Sequence, residues 1–179
     1  MRSAFTLRLS LAALMCALTS VCALIQIPLP PVPLSLALFG VHMTGALLGG
    51  RWGACSLAAY VLLGGAGLPV FAGFSGGPAA LFGPTGGFLF GYILCAALTG
   101  FFTRRFCGSR LSLALSMIPG TLVCYALGTA YFMLSTGSVL SSALTLCVLP
   151  FLPGDAVKIL LCAHLCLRLQ KPLRTLGLL

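Results

Sequence analysis

The sequence predicts an all-α membrane protein with six transmembrane helices, both termini on the cytoplasmic side, and a ligand pocket facing outward beneath a Pro-rich loop. Three observations lead there. Of 179 residues, 60% are apolar and only 6% charged, with a mean hydropathy of +1.15, whereas a soluble domain carries about a quarter charged residues. Apolar stretches near the ~20 residues needed to cross a bilayer recur six times. Basic residues gather at alternate breaks between these stretches, as they do in cytoplasmic loops. The single acidic residue excludes chemistry built on paired carboxylates and excludes calcium loops. The net charge of +9 therefore reads as topology, with lipid as the surrounding partner, and not as nucleic-acid affinity.

Taken in order, the first stretch spans 9–27 and follows Arg2 and Arg8. A cleavable signal peptide is the competing reading, since its apolar run ends near Val21, Cys22 and Ala23; that would leave five spans. Stretches 34–50 and 53–68 are separated by Arg51. Stretches 85–103 and 111–135 are separated by Arg104, Arg105 and Arg110, and 144–169 runs into Arg168, Lys171 and Arg174. The other three connections carry no charge and are read as outer loops. One domain over 1–179 is expected. The nine cysteines are scattered without a C-x-x-C and read as small packing residues. Cys162 and Cys166 share a helix face, but His164 points to the opposite side, so no metal site, disulfide or cofactor is assigned.

The outer side is where the pattern breaks. Segment 26–33 reads QIPLPPVP, and its four prolines forbid a helix and favour a stiff extended strap, read as a lid. Segment 67–87 holds seven glycines and three prolines in 21 residues, interspersed with Phe71, Phe74 and Phe82. Non-helical backbone at membrane depth survives only where it is buried in protein or lines a polar cavity. A cavity is therefore expected; the alternative is an ordinary external loop. In VLPFLPGDAVKILL, Pro150 and Pro153 precede Gly154 and Asp155, which places a helix restart at Gly154 after a short broken piece.

Three residues beyond Asp155, on the same face, comes Lys158. These are the chain's one acid and its one basic residue outside the cytoplasmic clusters. An ionisable group within a span costs ~3 kcal/mol on insertion scales, so it faces the interior and marks a site. The other reading is a mutual ion pair that ties the helix to itself, although apolar side chains of similar size stabilise better. Carboxylate, amine, glycine-rich liner and Pro-rich strap converge on a pocket for a small, partly apolar ligand.

With those segments in hand, the motifs PVPLSL, GLPVFAG, GPTGG followed by Gly91 and Tyr92, and LPGDAVK make the sequence resemble the BioY family over almost its whole length. These are the biotin-binding S components of energy-coupling factor (ECF) transporters. The resemblance implies six helices in the cell membrane and no enzymatic activity. It also implies biotin uptake together with a membrane T subunit and two cytoplasmic ATPases. Asp155 would accept a ureido N–H of biotin, and Lys158 would donate to the ureido carbonyl or to the carboxylate. Phe71, Tyr92 and, in the glycine-rich liner, Gly73, Gly83 and Thr85 would pack the ring, with Tyr125 a further contact. Ala13 and Ala17 form a small-xxx-small pattern that in the family contacts the T subunit; internal packing is the other reading. No phosphate-binding loop G-x-x-x-x-G-K-[ST] occurs, which leaves ATP hydrolysis to partners.

Two further readings remain. One is a carrier for another vitamin or solute on the same scaffold. The other is an intramembrane serine protease built on Ser75, within Gly73-Phe-Ser75-Gly76, and His164. Placement argues against the protease, because His164 lies six residues past Lys158, ~9 Å further toward the cytoplasm, and a nucleophile needs its base within ~3 Å.

Overall fold

The computed structural model describes residues 2–29, 32–106 and 109–175, without side chains at 2–4 and 171–175. Pro30, Pro31 and Cys107 lie outside the described residues, as do the side chains of Arg2, Lys171 and Arg174. Helix α1 (Arg2–Leu24) leads into an antiparallel pair, β1 (Gln26–Ile27) and β2 (Leu34–Ser35), followed by α2 (Ala37–Leu48) and α3 (Gly50–Gly65). A 3-10 turn at Ala72–Phe74 and the short α4 (Pro78–Phe82) precede α5 (Gly86–Arg105) and α6 (Arg110–Thr136). Helices α7 (Leu140–Cys147) and α8 (Leu152–Thr175) complete the described chain.

All six apolar stretches contain helix, but not all at spanning length. Among the described residues, three helices are long and apolar enough to cross a membrane: Phe5–Leu24 within α1, α5 and α6. Helices α7 and α8, bent by 47° at their break, add a fourth if they form one span. The 12 residues of α2 and 16 of α3 rise only about 18 and 24 Å, short of the ~30 Å hydrocarbon core. Two local features shorten them. The Pro-rich segment draws its flanks into a hairpin with Gln26 opposite Ser35 and Ile27 opposite Leu34, so the expected stiff strap ends in paired strands. Gly49, at φ 79 and ψ 171, breaks the chain between α2 and α3 in a conformation that residues with a Cβ avoid.

Helix α2 is the centre of the bundle, packed against α1, α3, α5 and α8. Every residue in it except Phe39 is buried, as expected of a helix that is apolar all round. Gly45 lies against the backbone of Ala96 on α5, and Gly100 lies against Gly49 and Gly50. Such contacts let helices approach closely where lipid supplies no hydrophobic drive for association. The polar groups of α2 are satisfied inside the protein. His42 shares hydrogen bonds with Thr99 Oγ1 at 2.9 Å and Thr121 Oγ1 at 3.0 Å, tying α2 to α5 and α6. The Thr44 hydroxyl donates to the Gly40 carbonyl at 2.7 Å.

Helix α6 is bounded as its sequence dictates. The Ser109 hydroxyl accepts from the Ser112 N–H at 3.1 Å, and Gly137 terminates the helix in the left-handed region at φ 68. At the other break, Pro150 precedes α8 and Pro153 sits in its first turn, where a missing N–H costs nothing. The helix accordingly begins at Leu152, two residues before the expected restart at Gly154.

Candidate functional site

The site is assembled around the first turn of α8. Proline and glycine allow the helix to start within the bundle, which places Asp155 near the positive end of its dipole and Lys158 one turn on. Both are buried, 4% and 6% exposed. Lys158 Nζ lies 2.7 Å from Asp155 Oδ1 and donates to the Ser35 carbonyl at 2.6 Å. The Tyr125 hydroxyl donates to Asp155 Oδ2. One ion pair thus joins α8 to β2 and α6.

Beside this pair is a cavity of about 90 Å³. Val32, Pro33 and Ser35 of the hairpin region form one wall, and Phe88, Leu89 and Tyr92 of α5 another. Tyr60, Phe71, Ser75 and Phe151 complete the aromatic and polar surround. Phe71 is held inward from both sides. Its ring meets Tyr60 edge-on at 5.4 Å and 76°, the Tyr60 hydroxyl donates to the Val70 carbonyl at 3.1 Å, and the Phe71 N–H donates to the Ser75 carbonyl at 3.1 Å. Gly64 on α3 leaves room for that ring, because a Cβ there would overlap it. Phe74 and Phe82 of the same segment point outward, 69% and 74% exposed. The glycine-rich segment is therefore a cavity liner at Phe71, Ala72, Ser75, Ala80 and Thr85, and turns Phe74 and Phe82 to the outside.

Of the residues singled out in the sequence, Asp155, Lys158, Phe71, Thr85, Tyr92 and Tyr125 line this one cavity. Gly73 and Gly83 do not. Gly73 supports the 3-10 turn at φ 73, and Gly83 follows α4. Ala13 and Ala17 are exposed on α1, turned away from the bundle. Ser75 lines the cavity, but its hydroxyl donates to the Ala72 carbonyl at 2.8 Å, and the half-buried His164 is not among the lining residues. Sequence reasoning missed Tyr60, Phe88, Phe151 and the Ser35 carbonyl. The Ser35 contact is made by main chain and leaves no residue-type signal. Tyr60, a hydroxyl-bearing aromatic shortly before the glycine-rich break, could have been found.

The arrangement suits holding a small ligand. Lysine has three donors, and two bonds leave one free. A carboxylate has about four acceptor positions, and Asp155 has two partners. A donor and an acceptor therefore stand side by side within apolar walls, the make-up of a specific small-molecule site.

Comparison with known proteins identifies the family. The model of the BioY family matches residues 1–175. A protein named biotin transporter BioY from Thermotoga maritima is 40% identical over 160 residues, covering 89% of this chain and 94% of that protein. A probable biotin transporter BioY from Pyrococcus horikoshii is 39% identical over 161 residues, covering 90% and 94%. A 2.1 Å crystal structure of the S-component for biotin from an ECF-type ABC transporter has a TM-score of 0.88 at 28% identity, covering 96% of this chain and 94% of that one. With the fold, the membrane-spanning helices and nearly the full sequence in agreement, the chain belongs to the BioY family, a family of membrane transporter components and not of enzymes.

Proposed function

We propose that this chain is the substrate-binding S component of a biotin transporter, a single domain in the plasma membrane without enzymatic activity of its own. The observation that carries the reading is the buried Asp155–Lys158 pair, held by Tyr125 and the Ser35 carbonyl at the wall of an aromatic cavity. Biotin has a ureido group with two N–H donors and a carbonyl, an apolar thiophane ring and a carboxylate on a flexible chain. Asp155 accepts a ureido N–H, Lys158 directs its remaining donor to the ligand, and Phe71 and Tyr92 pack the ring.

The basic ends of the helices face the cytoplasm and the cavity end faces outward, in keeping with the placement of arginine. The hairpin at Gln26–Ser35 covers the bound vitamin. The exposed face of α1 that carries Ala13 and Ala17 docks on the T subunit, and two ATPases on the cytoplasmic side energise release. Equilibrium binding of radiolabelled biotin to the detergent-solubilised protein tests the reading. Micromolar or tighter affinity is expected; weaker binding, or a tighter fit to another vitamin, overturns it.

A further inference from the structure

A second concavity lies at the opposite end of the bundle from the Asp155–Lys158 pair. The cavity described above takes Ala23, Ala37, Tyr60 and Thr85 from one end of α1, α2, α3 and α5. The second groove takes Arg8, Leu48, Arg51 and the Gly100–Arg105 turn from the other end of the same helices. It measures about 600 Å³, and four arginines line it: Arg8, Arg51, Arg104 and Arg105. We propose that this groove binds the phosphate headgroup of an anionic phospholipid.

Three observations carry the proposal. The chain has one acidic side chain, and that carboxylate is engaged by Lys158 at the far end. No side-chain anion exists to neutralise the four guanidiniums, so their counter-ion comes from outside. Arg104 is oriented by donating from Nη2 to the Leu48 carbonyl at 3.2 Å, which fixes one guanidinium at the C-terminal end of α2 and leaves its other donors for a ligand. Among the described residues, Arg8, Arg51 and Arg105 have no ion-pair partner.

The rest of the lining points to lipid as the source of the phosphate. Trp52 and Phe101 stand among the arginines, and the Trp52 ring meets Phe5 edge-on at 5.6 Å. Phe5 and Phe101 are 59% and 61% exposed, so apolar surface on which acyl chains can lie adjoins the charged groove. Tryptophan is at home at the headgroup level, and basic pockets between membrane helices suit anionic headgroups. Retention of basic residues on one side of the membrane explains arginines at helix ends. It does not explain their convergence on one groove with the chain's single tryptophan.

That tryptophan provides the experiment. The full chain is reconstituted in phosphatidylcholine vesicles containing either brominated phosphatidylglycerol or brominated phosphatidylcholine, with the same lipid in both leaflets so that orientation does not matter. Brominated phosphatidylglycerol is expected to quench Trp52 at a mole fraction at least fivefold lower, the preference that about one basic residue near an anionic headgroup confers. Arg51→Gln is expected to reduce that preference severalfold, whereas Arg110→Gln, outside the groove, keeps it. Equal quenching by the two wild-type preparations overturns the proposal without reference to any variant. Equal loss in R51Q and R110Q also overturns it, because the attraction would then be a diffuse surface field. If soluble glycerol phosphate abolishes the preference at matched phosphate concentration, the groove is a free-phosphate site and the lipid assignment falls.

Discussion

The two ends of the bundle handle charge in opposite ways. At the cavity end, one carboxylate and one amine are buried, bonded to each other, and supported by Tyr125 and the Ser35 carbonyl. At the other end, four arginines are exposed around a groove with no acidic side chain to pair with. A buried charge deprived of its partner keeps its desolvation penalty, whereas an exposed one is screened by water and salt. Substitutions at the two ends are therefore expected to differ in size and in what they affect.

The largest effect belongs to the buried pair. Asp155→Ala leaves Lys158 without its counter-ion and is expected to cost about 3–5 kcal/mol of stability, with biotin binding lost in the same radiolabel assay. The double variant D155A/K158A is the sharper test, since removing both charges restores much of the melting temperature and none of the binding. A double variant that still binds biotin would place the site elsewhere.

Tyr125→Phe removes one hydrogen bond to a charged group and is expected to weaken biotin affinity by about 1.5–3 kcal/mol. Titration of the variant reads this directly, and unchanged affinity means that the hydroxyl only steadies α6 against α8. Gly64→Ala pushes a methyl group into the Phe71 ring, an overpacking of about 1–3 kcal/mol. It should appear as faster biotin dissociation; an unaltered off-rate would show that Phe71 does not contact the vitamin.

Smallest of all, Arg105→Gln at the exposed end is expected to shift stability by no more than about 0.5 kcal/mol and to leave biotin affinity unchanged. A drop in affinity comparable to that of Y125F would mean that the two ends are coupled and do not act independently.

Much of this layout was legible in the sequence because it follows from chain-local rules. Apolar runs located every helix except the five-residue α4, which Pro78 starts within the glycine-rich segment. Pro150 and Pro153 located the break before α8, and the rarity of charge in a span singled out Asp155 and Lys158. What stayed hidden depends on partners distant in the chain. Ser35 lies 123 residues from Lys158, and His42 lies 57 and 79 residues from the threonines that satisfy it. The paired ends of the Pro-rich segment were equally hidden, because proline forbids a helix there without specifying which strand it meets.

The amino-acid order by itself determined that this chain lives in a membrane, which stretches of it become helix, and which two side chains have no ordinary reason to be buried. Hydropathy, proline geometry and the cost of burying charge act over a few residues and need no fold to be evaluated. Tertiary packing alone decided that Phe71 turns inward while Phe74 and Phe82 turn out, and that a main-chain carbonyl completes the ion pair. It also decided that four arginines from three separated segments share one groove. Those outcomes depend on which helices touch, and helix contacts in lipid follow from shape complementarity between surfaces, a property of the assembled bundle and not of any single stretch of chain.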